Sequence, residues 1–264
     1  MLKNSTIATI ILICSFASNA AYAETITLAA DVWCPYNCDP NDINKPGFMV
    51  DITKIIFGAN GITVVYREIP WARAKIMVFS NEIQGLIAAT KADNDTKNLI
   101  FPKEESAQML NSFYTLKSSS WIYKDIESLK KVRIGVIAGY DYGPDIQPYI
   151  DKELSKKSSD SKVISIAGND PLERLIKMLI VKRVDAILED HAVFSYTANR
   201  IGFTDYRYAG DDKSDPVDNK LYIAFSPATR SNEYAKLLSK GISNLRKSGE
   251  LSRILAKYGL KDWK

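Results

Sequence analysis

Histidine and cysteine are scarce in this chain of 264 residues, which removes several kinds of site from consideration. The single histidine, His191, and three cysteines are too few to build a zinc shell, so the sequence predicts no metal centre and no cofactor. No serine or cysteine nucleophile motif accompanies His191, so a hydrolytic triad is not expected either.

An excess of charge of either sign is also lacking. The chain carries 35 Lys and Arg against 31 Asp and Glu, a formal net charge of +4, and the two signs are interspersed. Nucleic-acid-binding surfaces need concentrated basic stretches, which are absent here. We therefore expect no nucleic-acid partner.

Long apolar runs are missing except near the N-terminus, where residues 1–23 have the pattern of a signal peptide. Lys3 supplies the positive start, residues 7–17 form an apolar run too short to cross a bilayer, and Ala21-Tyr22-Ala23 fits the cleavage site. The mature chain is thus expected to begin at Glu24 and to be exported and soluble.

The cysteines favour a disulfide. Cys14 lies in the predicted leader, and the large apolar residues before it do not fit a lipoprotein site, so Cys34 and Cys38 remain. An even pair in an exported chain predicts a bond, here across a tight turn. A redox-active pair is disfavoured because three residues separate the cysteines rather than two.

Short apolar segments alternate with helical periods along the chain, which is typical of α/β layers. Two blocks result, at about 24–115 and 120–220, followed by a helical tail. Strands are predicted at 25–30, 62–68, 85–89, 119–123, 132–137, 184–188 and 221–225, and helices at 49–57, 72–80, 171–181 and beyond 230.

Three segments carry a resemblance to a known family. They are Pro46–Asp51, Val184–Asp190, and Leu221–Phe225 with the helical segment Leu245–Tyr258 after it. Their order and spacing resemble the family 3 extracellular solute-binding proteins, which include the periplasmic glutamine-, histidine- and lysine/arginine-binding proteins of ABC importers. The resemblance covers residues 24–264.

The resemblance implies an α/β, two-lobed periplasmic binding protein fold of type II, with a ligand cleft between lobes joined by two hinge strands. Lobe 1 would comprise 24–116 plus 223–264, and lobe 2 would comprise 120–220. The crossings would fall near Lys117–Ser120 and Lys220–Ile223. Closure on the ligand would be a hinge motion about them.

The function that the resemblance implies is capture of a small polar ligand, such as an amino acid or an amine, by a monomeric periplasmic protein. Its partner would be an inner-membrane ABC permease, and it would not be an enzyme. Two alternatives stay open. One is an exported enzyme on the same scaffold, similar to cyclohexadienyl dehydratases, and the other is a ligand-sensing partner of a membrane receptor.

In lobe 1, the resemblance implies that Trp33 and Trp71 sandwich the ligand, although strand-end tryptophans also serve as core or rim packing. Amino-acid binders of the family carry a Thr-x-Thr-x-x-Arg stretch whose arginine clamps the α-carboxylate. Here the corresponding stretch contains Thr90 and Lys91 but no arginine, and Arg73 is the other cation that could replace it.

In lobe 2, Asp190 matches the carboxylate that grips the ligand's amino group, with Glu189 beside it. The alternative for Asp190 is the N-cap of the following helix. Tyr140 and Asp141 match a turn that cradles a carboxylate. Tryptophan faces opposite a carboxylate favour a cation, so we expect an amine or a cationic amino acid.

Overall fold

Two separate sheets organise the chain in the computed structural model, which describes residues 24–212 and 219–264. The predicted signal peptide lies outside the described residues. The first sheet contains β1 (Glu24–Ala30), β2 (Ile62–Glu68), β3 (Gly85–Ala89), β4 (Ala107–Gln108) and β10 (Lys220–Phe225). The second contains β5 (Asn111–Leu116), β6 (Ile134–Ile137), β7 (Val163–Ile166), β8 (Ala186–Asp190) and β9 (Tyr206–Asp211).

Helices cover both sheets. Lobe 1 has α1 (Phe48–Gly58) and α2 (Trp71–Phe79), and its last two helices are α7 (Ser231–Lys247) and α8 (Glu250–Lys257). Lobe 2 has α3 (Ile126–Leu129), α4 (Gly143–Leu154), α5 (Pro171–Ile180) and α6 (His191–Arg200). Because α7 and α8 pack against α1, the tail returns to lobe 1 as predicted. No helix within the described ranges has the length and apolarity to cross a bilayer.

Both sheets have the same arrangement. Their orders are β2-β1-β3-β10-β4 and β7-β6-β8-β5-β9, so each has three adjacent parallel strands followed by two antiparallel pairings. In α/β sheets, ligands bind beyond the carboxyl ends of parallel strands. The parallel strands β1, β2 and β3 in lobe 1, and β6 and β8 in lobe 2, therefore mark where a site is expected.

The lobe boundary differs from the predicted one. β5 was assigned to lobe 1 within 24–116, but it pairs with β8 and β9 in the second sheet. The first crossing therefore lies at Met109–Leu110, between β4 and β5, and not near Lys117–Ser120. β10, which begins at Lys220, already belongs to the first sheet, whereas β9, which ends at Asp211, belongs to the second.

The segment 119–123 is not a strand, contrary to the prediction. Its aromatic residues pack in an irregular stretch instead. Tyr123 stacks on Phe113 with ring centroids 4.3 Å apart, and Trp121 meets the same ring edge-on at 5.6 Å. The apolar residues that suggested a strand are thus explained by packing against β5.

Cys34 and Cys38 form the predicted disulfide. The bond closes a turn in which the Trp33 backbone N–H donates to the Asn37 carbonyl oxygen over 2.8 Å. This turn directly follows β1, so the disulfide holds Trp33 at the carboxyl end of the first parallel strand.

Candidate functional site

A cavity of about 60 Å³ lies between the lobes, at the strand ends where a site is expected. Lobe 1 contributes the residues after β1, β2 and β3, and lobe 2 contributes the loop after β6 and the end of β8. The lining residues are Ala30, Asp31, Trp33, Asn37, Trp71, Ile87, Ala88, Thr90, Asp93, Met109, Asn111, Tyr140, Asp141, Tyr142, Glu189 and Leu221.

Hydrogen bonds join the two lobes across this cavity. Trp33 Nε1 of lobe 1 donates to Glu189 Oε1 of lobe 2 over 3.0 Å. In the opposite sense, the Tyr140 hydroxyl of lobe 2 donates to Asp31 Oδ2 of lobe 1 over 2.8 Å. Each lobe therefore places one carboxylate against an aromatic donor of the other, and the lobes are in contact around the cavity.

The charged lining is acidic. Asp31 and Asp93 come from lobe 1, Asp141 and Glu189 come from lobe 2, and no lysine or arginine among residues 24–212 and 219–264 lines the cavity. Lys75 lies nearby, but its Nζ pairs at 2.6 Å with Asp95, which is outside the cavity, and reaches Asp93 only at 3.9 Å. The described lining therefore has acidic groups in excess of basic ones.

Burial changes the proton affinity of the two carboxyls at the lobe contact. It raises the pKa of Glu189 to about 8, against the opposing effect of the hydrogen bond from Trp33. It also raises the pKa of Asp31 to about 6, against the hydrogen bond from Tyr140. The charge of Asp31 also raises the pKa of Glu189, and the charge of Glu68 raises the pKa of Asp31, so a cation near these carboxyls would favour their ionised forms.

Glu189 has an oxygen without a partner. Its Oε1 accepts from Trp33 and from the Asp190 backbone N–H, whereas Oε2 is buried with no hydrogen-bond partner. The residue is only 1 % exposed. A buried carboxylate oxygen left unpaired is costly, so this atom is a ready acceptor for a ligand donor.

Aromatic and apolar groups form the rest of the wall. Trp33 stacks on Tyr36 with centroids 4.4 Å apart and meets the Tyr140 ring edge-on at 6.4 Å. Trp71, at the start of α2, lines the cavity too. These rings provide π-faces near the carboxylates, an environment suited to an organic cation.

Six of the predicted site residues line the cavity: Trp33, Trp71, Thr90, Tyr140, Asp141 and Glu189. Arg73 and Lys91, the two candidates to replace the missing arginine, do not line it. Arg73 is exposed on α2, and Lys91 Nζ lies over the Tyr222 ring, 4.3 Å from its centroid. Neither cation therefore lies where a carboxylate in the cavity would meet it.

Asp190 has the helix-capping role that was its alternative. Its Oδ1 accepts from the backbone N–H groups of Ala192 and Val193 at the start of α6. Its Oδ2 accepts from the Leu110 N–H over 2.8 Å and from the Tyr36 hydroxyl over 3.2 Å. With both oxygens occupied, Asp190 fixes the strand end and the first crossing, and it does not line the cavity.

Sequence reasoning missed Asp31, Asn37, Asp93, Asn111 and Tyr142 as lining residues. One signal could have found Asp31, because it immediately follows β1 and strand-end positions were already taken as the site. Asp170 occupies the N-cap of α5 in the left-handed backbone region, but its side chain accepts no capping hydrogen bond.

Known structures share this architecture. An ancestral arginine-binding protein bound to arginine superposes with a TM-score of 0.68 at 19% identity, covering 89% of this chain and 97% of that one. A substrate-binding protein of an ABC uptake transporter from Streptococcus pneumoniae, with bound histidine, gives 0.70 at 19% identity, covering 89% and 92%. The chain has the fold of the periplasmic binding proteins.

A third neighbour is a histidine kinase sensor domain with similarity to periplasmic binding proteins, at a TM-score of 0.69 and 16% identity, covering 90% of this chain and 98% of that one. By sequence, no protein-family model and no curated protein matches. The predicted α/β, two-lobed fold is confirmed by these structures. At such low identity they show the fold alone, so function has to be argued from the site.

Proposed function

We propose that this protein is a solute-binding protein that captures a small organic cation between its lobes and delivers it to an ABC importer. The observation that carries the proposal is the group of four acidic side chains, Asp31, Asp93, Asp141 and Glu189, that line the cavity, where the described part of the chain contributes no lysine or arginine. Within the described ranges, no cluster of histidine, cysteine or acidic side chains is arranged to hold a metal ion, so the expected cation is organic.

Charge and π-faces would share the recognition. Glu189 Oε2 and the Asp31 carboxylate lie on opposite lobes, so an ammonium group that pairs with both would draw the lobes together. Trp33, Trp71 and Tyr140 would add cation–π contacts, each worth about 0.5–2 kcal/mol depending on desolvation. Thr90 and Asp141 would supply further polar contacts. In this proposal Asp190 positions Glu189 without touching the ligand.

The neighbours that bind arginine and histidine, according to their names, support a nitrogen-rich ligand. A free α-carboxylate, however, would enter a cavity lined by four carboxylates. It would lack the bidentate guanidinium partner, a charge-assisted bond worth about 1.5–3 kcal/mol. The balance therefore favours an amine over a zwitterionic amino acid.

The proposal further holds that the protein is exported to the periplasm, is monomeric there, and has an inner-membrane permease as its partner. The neighbours named above are binding and sensing proteins rather than enzymes, and we propose no reaction for this site. A receptor in place of a permease would use the same cleft, because a sensor domain has the same fold. A transport assay with the intact cell separates these two partners.

Calorimetric titration of ligand-stripped protein tests the proposed ligand charge. The probes are n-butylamine, lysine and glutarate, which carry a single cation, a cation with a zwitterion, and two anions. We expect the amine to bind, lysine to bind more weakly, and glutarate not to bind. Glu189→Gln should weaken amine binding, whereas Asp160→Asn, a matched change on a surface loop, should not. Binding of glutarate alone would refute a cation site.

A further inference from the structure

A second and larger groove lies beside the cavity and shares part of its lining. Its volume is about 470 Å³, and it too is lined by both lobes. Four residues line both spaces: Asp31, Trp33, Tyr140 and Glu189. These side chains, hydrogen-bonded in pairs at the lobe contact, therefore form the wall that the cavity and the groove share, which we call the neck.

The groove is acidic on both of its sides. Lobe 1 contributes Asp39, Asp42 and Glu68, and lobe 2 contributes Asp170 and Glu173. Among the described residues, Arg200 is the one cationic side chain that lines this groove, and it is paired with Glu173.

Glu68 and Asp170 face this groove from different lobes, and neither forms an ion pair within the described part of the chain. Burial raises the pKa of Glu68, and the negative charges of Asp39 and Asp170 raise it further. Like charges therefore oppose each other across the groove when the lobes are in contact, and a cation between them would relieve the repulsion.

The unpartnered Oε2 of Glu189 indicates that a ligand donor belongs at the neck. The atom is buried, and the residue lines both the cavity and the groove. On one side of the neck is the small cavity, with room for one small head group. On its other side is the larger groove, with room for a longer chain.

We infer that the ligand is a linear polyamine, with one ammonium group in the cavity and a second in the groove between Glu68 and Asp170. The methylene chain would pass the Trp33 and Tyr140 rings at the neck, where apolar contact is available. A polyamine has cations at intervals and no carboxylate, which matches acids on both sides of the neck. This inference rests on the proposed function and specifies its ligand class.

The test is calorimetric titration of the full mature chain with spermidine, 1,4-diaminobutane, n-butylamine and lysine. Because the second ammonium pairs with two carboxylates on opposite lobes, spermidine should bind about tenfold or more tightly than n-butylamine. The double variant Glu68→Gln/Asp170→Asn should weaken spermidine about tenfold and n-butylamine much less. Glu127→Gln/Asp160→Asn is the matched control, with the same charge change at exposed positions, and should alter neither.

The outcomes separate the two proposals. Equal affinity for spermidine and n-butylamine, or equal losses for both in the groove variant, would overturn the polyamine inference and leave a single-cation site. Tighter binding of lysine than of 1,4-diaminobutane would also overturn it, because the carboxylate would then have a partner. Binding of none of the amines would overturn the proposed function as well.

Discussion

Glu189 and Asp190 are adjacent carboxylates with different roles. Both are buried at the end of β8, but Asp190 has both oxygens hydrogen-bonded within the protein whereas Glu189 leaves one unpaired. The resemblance pointed to Asp190 as the ligand's partner, and its alternative as an N-cap was already open. Sequence alone could not decide between ligand contact and helix capping for Asp190, because capping depends on which N–H groups the folded chain brings within reach.

Removal of the Asp190 carboxylate should therefore mainly affect stability. Asp190→Ala loses a helix cap and leaves the Leu110 N–H without its partner, so we expect a loss of about 2–4 kcal/mol in the free energy of unfolding. Urea denaturation followed by circular dichroism measures it, with Asp160→Asn as a surface control. Unchanged stability with lost amine binding would assign Asp190 to the ligand instead.

Amine binding should become tighter as pH rises. Glu189 has a pKa of about 8 with the lobes in contact, so below that pH the cation must displace a proton. Affinity for n-butylamine should rise between pH 6 and 8, the window set by Asp31 at about 6 and Glu189 at about 8, and proton release should accompany binding. Titration at neutral pH in buffers of different ionisation enthalpy counts the protons.

Glu189 also determines how the free energy of unfolding changes with pH. The pKa of Glu189 is raised from 4.5 to about 8 on folding, so its contribution is fully present below 4.5 and is lost as pH rises toward 8. Glu189→Gln should remove this loss of stability. An affinity independent of pH across the window, with no proton release, would contradict ionisation of these carboxyls on binding.

Among the elements, β5 shows where sequence patterns fail. Its sequence, Asn-Ser-Phe-Tyr-Thr-Leu, is not among the predicted strands, yet five of its six residues are buried because β5 lies between β8 and β9. The hydrogen-bond partners that allow this burial come from distant segments, so no local pattern reveals them. The predicted hinge at Lys117–Ser120 was wrong for this reason.

Two glycines give a matched test of how α7 packs. A Cβ on Gly241 in α7 would lie 2.5 Å from Ile56 Cγ2 of α1, whereas a Cβ on Gly58 of α1 would meet nothing within 4 Å. Gly241→Ala should cost about 1–3 kcal/mol through overpacking. Gly58→Ala should gain about 0.5–1 kcal/mol through helix propensity. Thermal unfolding measures both, and equal effects would argue against the tight α1–α7 contact.

At the scale of the whole molecule, the order of three motifs was enough to predict the fold. The family resemblance, with the strand-end argument for Trp33 and Trp71, pointed to six of the lining residues. The excess of carboxylates was not predictable, because Asp31, Asp93, Asp141 and Glu189 lie far apart in sequence and meet only when the lobes are in contact. Arg73 and Lys91 were cations at plausible spacings that the folded helix and strand place elsewhere.

The central claim is that a bound cation closes the two lobes. Without a ligand, the ionised carboxyls on the two lobes repel each other and should keep the lobes apart. Small-angle scattering above the pKa of Glu189 tests it most directly. We expect the radius of gyration of the ligand-free protein to be larger than that of the protein saturated with spermidine. Glu189→Gln should be compact without ligand and change little. An unchanged radius for the native protein at saturation would contradict the account.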